Sequence, residues 1–166
     1  LCDRTAAMMQ LATDALLHAD LGAAEHVIDR RHDIDAKCSA LEADTFTILA
    51  RQAPVARDLR AVLAGMRNVA DLQRMSALAA HVAQISRRRH PETAVPGDVS
   101  GHFAEMGSIA VRLAQDTKCV VLEGNTDKAA QLNADDEAMD DIHRRLFVVV
   151  MDPQWSHGTT AAVDVT

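Results

Sequence analysis

The sequence predicts an all-α fold of two tandem three-helix bundles, the sixth helix cut short, and three observations carry that prediction. Aromatic residues are scarce: one Trp, three Phe and no Tyr in 166 residues. A core of Ala, Leu, Val and Met suits close-packed helices better than sheets, whose strands favour aromatic and β-branched side chains. Apolar residues also recur with helical spacing through most of the chain, most clearly as Val27, Ile34, Leu41 and Ile48, every seven residues. Finally, the two halves repeat. A shift of 105 residues lays Val27 on Leu132, Ile34 on Met139, Asp35 on Asp140 and Leu41 on Leu146. With one inserted residue, "VARDL" falls on "AAVDV" and Asp58 on Asp164, so each half reads as one three-helix unit.

The elements follow in order. A first helix runs from Asp3 to Ala19 and a second starts near Ala23. Pro54 cannot continue a helix interior but starts one well, so a third helix begins there and runs to Arg89. At 1.5 Å per residue this is a rod of about 50 Å. Its expected seam passes through Leu59, Leu63, Met66 and Ala70, then reaches Gln73 and Ala77. The breaker-rich stretch "HPETAVPGDVSG" separates the halves, giving a first repeat over 1–90, a linker over 91–100 and a second repeat over 101–166. A fourth helix carries Phe103, Met106, Ala110, Leu113, Thr117 and Val120. After "EGNTD", capped by Asp127 or Thr126, a fifth carries Leu132, Met139, Leu146 and Val150. "TTAAVDVT" reads as the start of a sixth helix that the chain does not finish, leaving an apolar seam for a neighbouring chain to cover. The opening "LCDRTAAMM" is already helical in pattern and lacks an initiator Met, which reads as a fragment.

Composition excludes several functions. A net charge of −7 opposes nucleic-acid binding, which needs a concentrated positive field; "RRRH" at 87–90 reads as a solvated helix end. Cys2, Cys38 and Cys119 are odd in number and share no CxxC spacing, so no disulfide framework or thiolate metal site is indicated and a reducing cytoplasm fits. No apolar run approaches the roughly 18 residues that span a bilayer, so no membrane insertion is expected. The sequence has no G-x-S-x-G, H-E-x-x-H, Walker loop or dinucleotide fingerprint, so no enzyme and no catalytic residues are predicted.

Two sets of acids fall on single helix edges. Asp35, Cys38 and Glu42 are spaced i, i+3, i+7; Asp136, Asp140 and His143 are spaced i, i+4, i+7. With further carboxylates from a facing helix, either set suits a hard or borderline cation. The alternative is that they are boundary residues solvated at the bundle edge, a reading that suits the first set better than the second. The methionines Met8, Met9, Met66, Met75, Met106 and Met139 read as core.

The stretch "LARQAPVARDLRAVLAGMRNVADLQRMSALAAHVA", with "DDEAMDD" followed by "MDPQW", resembles the PhoU proteins, and "ADLQRMSALAAHVAQISRRRHP" resembles their actinobacterial branch. The resemblance covers essentially the whole chain. It implies a cytoplasmic negative regulator of the phosphate-starvation response, without catalytic activity and forming a homodimer or larger oligomer. Such a protein links a phosphate ABC importer, through its ATPase, to a two-component sensor histidine kinase by protein–protein contact, and receives the phosphate signal through the transporter. Arg57, Asp58 and Arg60 resemble the family's surface motif, which implies a partner-binding role; Asp58 also suits the positive end of a helix dipole.

Several family members bind multinuclear metal clusters through Glu/Asp-x-x-x-Asp on the third helix of each repeat. Here that motif falls on Gln73 and Ala77, and Cys38 stands where a facing acid is expected. Asp35 and Glu42 remain, too few to offset dehydration of a cation cluster, so the first-repeat site reads as lost. Gln73 then becomes a seam amide bonding across the helices, with Glu42 as its expected acceptor. Asp136 and Asp140 leave the second repeat as the one place for a divalent or iron-type metal, held weakly; no cofactor is required. Two other readings compete. A di-iron or hemerythrin-type bundle calls for Glu-x-x-His, but the chain has only Asp-x-x-His, at Asp29/His32 and Asp140/His143. A structural coiled-coil interaction module calls for no transporter or kinase contact.

Overall fold

The computed structural model describes residues 1–165, arranged as six α-helices with no strand among them. They are α1 (Cys2–His18), α2 (Leu21–Gln52), α3 (Ala56–Arg89), α4 (Ser100–Glu123), α5 (Thr126–Val150) and α6 (Gly158–Val165). None is long and apolar enough to cross a membrane.

Local chemistry sets the boundaries. Asp20 caps α2, its Oδ1 accepting the Ala23 N–H at 3.0 Å. Asn125, rather than Asp127 or Thr126, caps α5 by accepting the Lys128 N–H at 3.0 Å. Pro54 lies before α3 rather than in its first turn, because Ala53 (φ 41°) and Ala56 (φ 48°) make the reversal in left-handed backbone. Ala19 ends α1 in the same conformation, at φ 53°. A Cβ there opposes the carbonyl, so Ala19→Gly is expected to raise stability by about 1 kcal/mol in urea unfolding.

α1 is the hub, packing on α2, α3 and α4 at once, while α2 pairs with α3 and α4 with α5. Its contacts are made through small side chains: Ala12, Ala15, Ala79 and Ala83 are fully buried, around Met8, Val27 and Ile34. The backbones approach so closely that Ser86 Oγ on α3 donates to the Ala15 carbonyl on α1 at 2.7 Å.

The long helices outrun this hub. α1 has 17 residues against 32 in α2 and 34 in α3, and its packed core reaches Cys38. Beyond that point α2 and α3 pair only with each other. The predicted heptad seam therefore holds for Val27 and Ile34 and fails for Leu41 and Ile48, which are 41% and 38% exposed. The predicted seam of α3 fails for Leu59, Leu63 and Ala70, which are exposed, while Met66, Gln73 and Ala77 are half-buried; the fully buried stripe is Leu72, Ser76, Ala79, Ala80, Ala83 and Ser86.

The breaker-rich segment is not a solvated tether. Ala94, Val95 and Val99 are buried in a second cluster with Leu16 of α1 and Leu146 and Val150 of α5. Nor is "RRRH" only a helix end. Arg87 and Arg88 are exposed, but Arg89 forms an ion pair with Asp164 of α6, and His90 Nδ1 donates to the Ala19 carbonyl at 3.0 Å. On the second bundle Phe147, Val148 and Met151 are exposed.

Candidate functional site

The two acid sets of the sequence meet different fates. On the first repeat, Gln73 Nε2 of α3 donates to Asp35 Oδ1 of α2 at 2.9 Å, and Arg31 Nε lies 3.4 Å from Asp35 Oδ2. The amide does bond across the helices, but its acceptor is Asp35 and not Glu42. The reason is register: Asp35 pairs with Gln73, and Cys38 Sγ faces the Val69 carbonyl at 4.0 Å. Glu42 therefore stands seven residues, about 10 Å, away along the hairpin, and is exposed.

Donation from Gln73, followed by Arg31, holds the Asp35 carboxyl below its ordinary range against an opposing effect of burial. Burial, then the charges of Asp35 and Glu42, pushes the Cys38 thiol up, which keeps it protonated at neutral pH. Ala77 contributes no donor atom. Gln73→Leu is expected to cost about 1 kcal/mol at pH 7, discounted for partial exposure. A carboxyl depressed in the folded state stabilises above its unfolded pKa and loses that contribution as pH falls through the folded value. The difference between wild type and Gln73→Leu should therefore shrink below pH 3.8, the ordinary value for Asp35; urea titrations at several pH values measure it.

On the second repeat the expected inward edge faces outward. Asp136, Asp140 and His143 are all exposed, while the buried stripe of α5 is Asp135, Ile142, Leu146 and Val150. Asp135 is the held carboxylate of "DDEAMDD": Arg112 Nε of α4 lies 3.4 Å from Oδ2, and Gln131 Nε2 donates to Oδ1 at 3.1 Å. Sequence reasoning missed it, although its spacing of seven from Ile142 marked the stripe. Among the described residues no group of three His, Cys, Asp or Glu side chains could hold a metal ion. Asp136 and Asp140 remain an i, i+4 pair on one helix with no facing donor among the described residues.

Arg57, Asp58 and Arg60 are exposed in the first turns of α3, at the projecting end of the hairpin. Val55, the N-cap, offers no side-chain bond, so Asp58 is the acid near the exposed N–H groups of that helix end. Arg57 and Arg60 form no ion pair among the described residues. This end of the molecule exposes charged and apolar side chains together.

Among the described residues, six helices packed through small side chains, with a clasped but incomplete donor set and a charged projecting hairpin, define an all-helical bundle protein. The PhoU domain matches residues 1–86. "Phosphate-specific transport system accessory protein PhoU homolog 2" of Mycobacterium tuberculosis is 51% identical over 166 residues, covering 100% of this chain and 78% of that protein. "PhoU homolog 1" of Mycobacterium leprae is 48% identical over 166 residues, 100% of this chain and 75% of that one. The chain belongs to the PhoU family, in its actinobacterial branch. No solved structure matches it significantly.

Proposed function

We propose that this chain is a negative regulator of the phosphate-starvation response, joining a phosphate ABC importer to a sensor histidine kinase by contact with the importer's ATPase and with the kinase. The observation that carries this reading is 51% identity across the whole chain to a relative named as an accessory protein of phosphate-specific transport. The exposed Arg57, Asp58 and Arg60 at the hairpin end support it. Regulation then consists of a difference in affinity between two partner states, with no bond-making by this chain. Within it, 1–90 and 101–166 act as the two repeats, and two chains associate as a homodimer in the cytoplasm.

The residues at the Gln73 site do not fit a multinuclear metal cluster: the Gln73 amide is neutral and engaged by Asp35, and Ala77 has no donor. Among the described residues, Asp136 and Asp140 have no third ligand beside them. No step of the proposed regulation passes through a metal.

The test captures purified importer ATPase and the kinase's cytoplasmic region on the immobilised protein, alongside a phosphate-starvation reporter in cells lacking it. Capture of both, lost in an Asp58→Lys/Arg60→Glu variant, and a reporter switched on in phosphate-rich medium are expected. Capture of neither partner with a silent reporter would overturn the reading.

A further inference from the structure

α3 carries seven arginines against two aspartates in a chain of net charge −7. Three of them, Arg60, Arg67 and Arg74, recur every seven residues, which aligns them in one column about 21 Å long. All three are exposed, and none has an ion pair or hydrogen-bonding side chain among the described residues, although Asp71 lies within a turn of both Arg67 and Arg74. Arginines without partners along one helix face leave their planar, bidentate donors available to carboxylates from outside.

The column borders apolar surface. At 3.6 residues per turn, Leu59 and Leu63 share an arc of about 100° with the three arginines. They are 36% and 46% exposed. On α2, Asp35, Glu42 and Phe46 form one stripe by spacing (i, i+7, i+11), just as Leu59, Met66 and Gln73 form one on α3. The Asp35–Gln73 hydrogen bond joins these two stripes, so Phe46 and Leu59 share a flank of the hairpin. The same register sets Phe46, 61% exposed, level with Ala61 and Val62. An aromatic and two leucines thus lie beside a straight column of unpaired guanidinium groups.

We propose that this flank of the α2–α3 hairpin docks an amphipathic helix of a partner protein, with an apolar stripe over Phe46, Leu59 and Leu63 and acidic residues at heptad spacing opposite Arg60, Arg67 and Arg74. A helix is the occupant because the seven-residue arginine period is matched by Glu or Asp at every second turn of a second helix lying alongside. A second copy of this chain fits less well. Its acidic α5 offers Asp136, Glu137, Asp140 and Asp141, but the exposed apolar side chain alongside these acids is the small Ala134, and Phe147, Val148 and Met151 follow only beyond them. The inference rests on the contact-regulator reading and names the chemistry of the contact.

The test uses fluorescence anisotropy with a designed 21-residue helical peptide bearing a Leu stripe and Glu at heptad flanks, roughly the column's length at 1.5 Å per residue. The control peptide has Lys in place of Glu. The Glu peptide is expected to bind and to weaken as salt rises, and the Lys peptide to fail. Arg60→Glu/Arg67→Glu/Arg74→Glu should lose about tenfold or more in affinity. Circular dichroism should show that variant folded, since these side chains hold nothing together. Phe46→Ser should weaken binding with charge unchanged. Equal binding of both peptides, no loss in the triple variant, binding to anionic vesicles but not to the peptide, or an effect confined to self-association in sedimentation would each overturn the proposal. The peptide needs neither kinase nor ATPase, so its failure leaves the regulatory reading standing. Failure of the capture experiment likewise leaves the peptide result intact.

Discussion

Gly107→Ala is expected to destabilise the protein by about 2 kcal/mol, although the same change in an open helix is stabilising. A Cβ at Gly107 of α4 would stand 2.4 Å from Thr13 Oγ1, 2.5 Å from its Cγ2 and 2.9 Å from its Cβ on α1. Thr13 is short and β-branched, and its Oγ1 already donates to the Met9 carbonyl at 2.9 Å, so it cannot swing away. The two helices would have to separate, at the contact that joins α4 to the hub. Gly65, in the interior of α3, has nothing within 4 Å of such a Cβ. Gly65→Ala should therefore gain about 0.5–1 kcal/mol from helix propensity and reduced unfolded-state entropy. Urea denaturation of the two variants should give opposite signs. A Thr13→Ala background, which removes Oγ1 and Cγ2 but keeps the Cβ at 2.9 Å, should relieve part of the Gly107→Ala cost. Equal signs at the two glycines would mean that α1 and α4 are not in close contact.

Ile34→Ala is expected to cost about 3 kcal/mol, through lost burial and a cavity at the centre of the α1–α2–α3 core. Ile48→Ala should cost below about 1 kcal/mol. The two residues hold the same position of one heptad pattern, two repeats apart. Ile34 is 1% exposed and Ile48 is 38% exposed, because the core beneath α1 extends no further than Cys38. Matched thermal or urea unfolding curves separate the cases, and near-equal losses would place a third helix along the whole length of α2.

Much of the architecture was legible because helix periodicity and breakers are local signals. Six helices were expected, and their boundaries fall within a few residues of the predicted ones. The differences lie where local chemistry has several near-equal choices, as with Asn125 taking the cap of α5 from Thr126 or Asp127. The candidate site was less legible. Gln73 was expected to bond across the seam and does, but the choice between Asp35 and Glu42 depends on the axial register of two antiparallel helices, set by side-chain packing. Spacing places Asp136 and Asp140 on one face of α5 without saying whether that face is covered. Asp135, one step around the helix, is the carboxylate that α4 covers.

The sequence by itself determined the helical class, the family and the absence of the acidic pair at Gln73 and Ala77, because each of these is written in residue identity and spacing along one chain. The tertiary structure decided which faces are covered. It made α1 the hub, buried the breaker-rich segment with Ala94, Val95 and Val99, and left Leu41, Ile48, Leu59 and Leu63 outside the core. Burial depends on which neighbour lies beside a residue, and that is settled by the relative lengths and approach of helices far apart in sequence, where small residues such as Ala15, Ala83 and Gly107 let backbones meet.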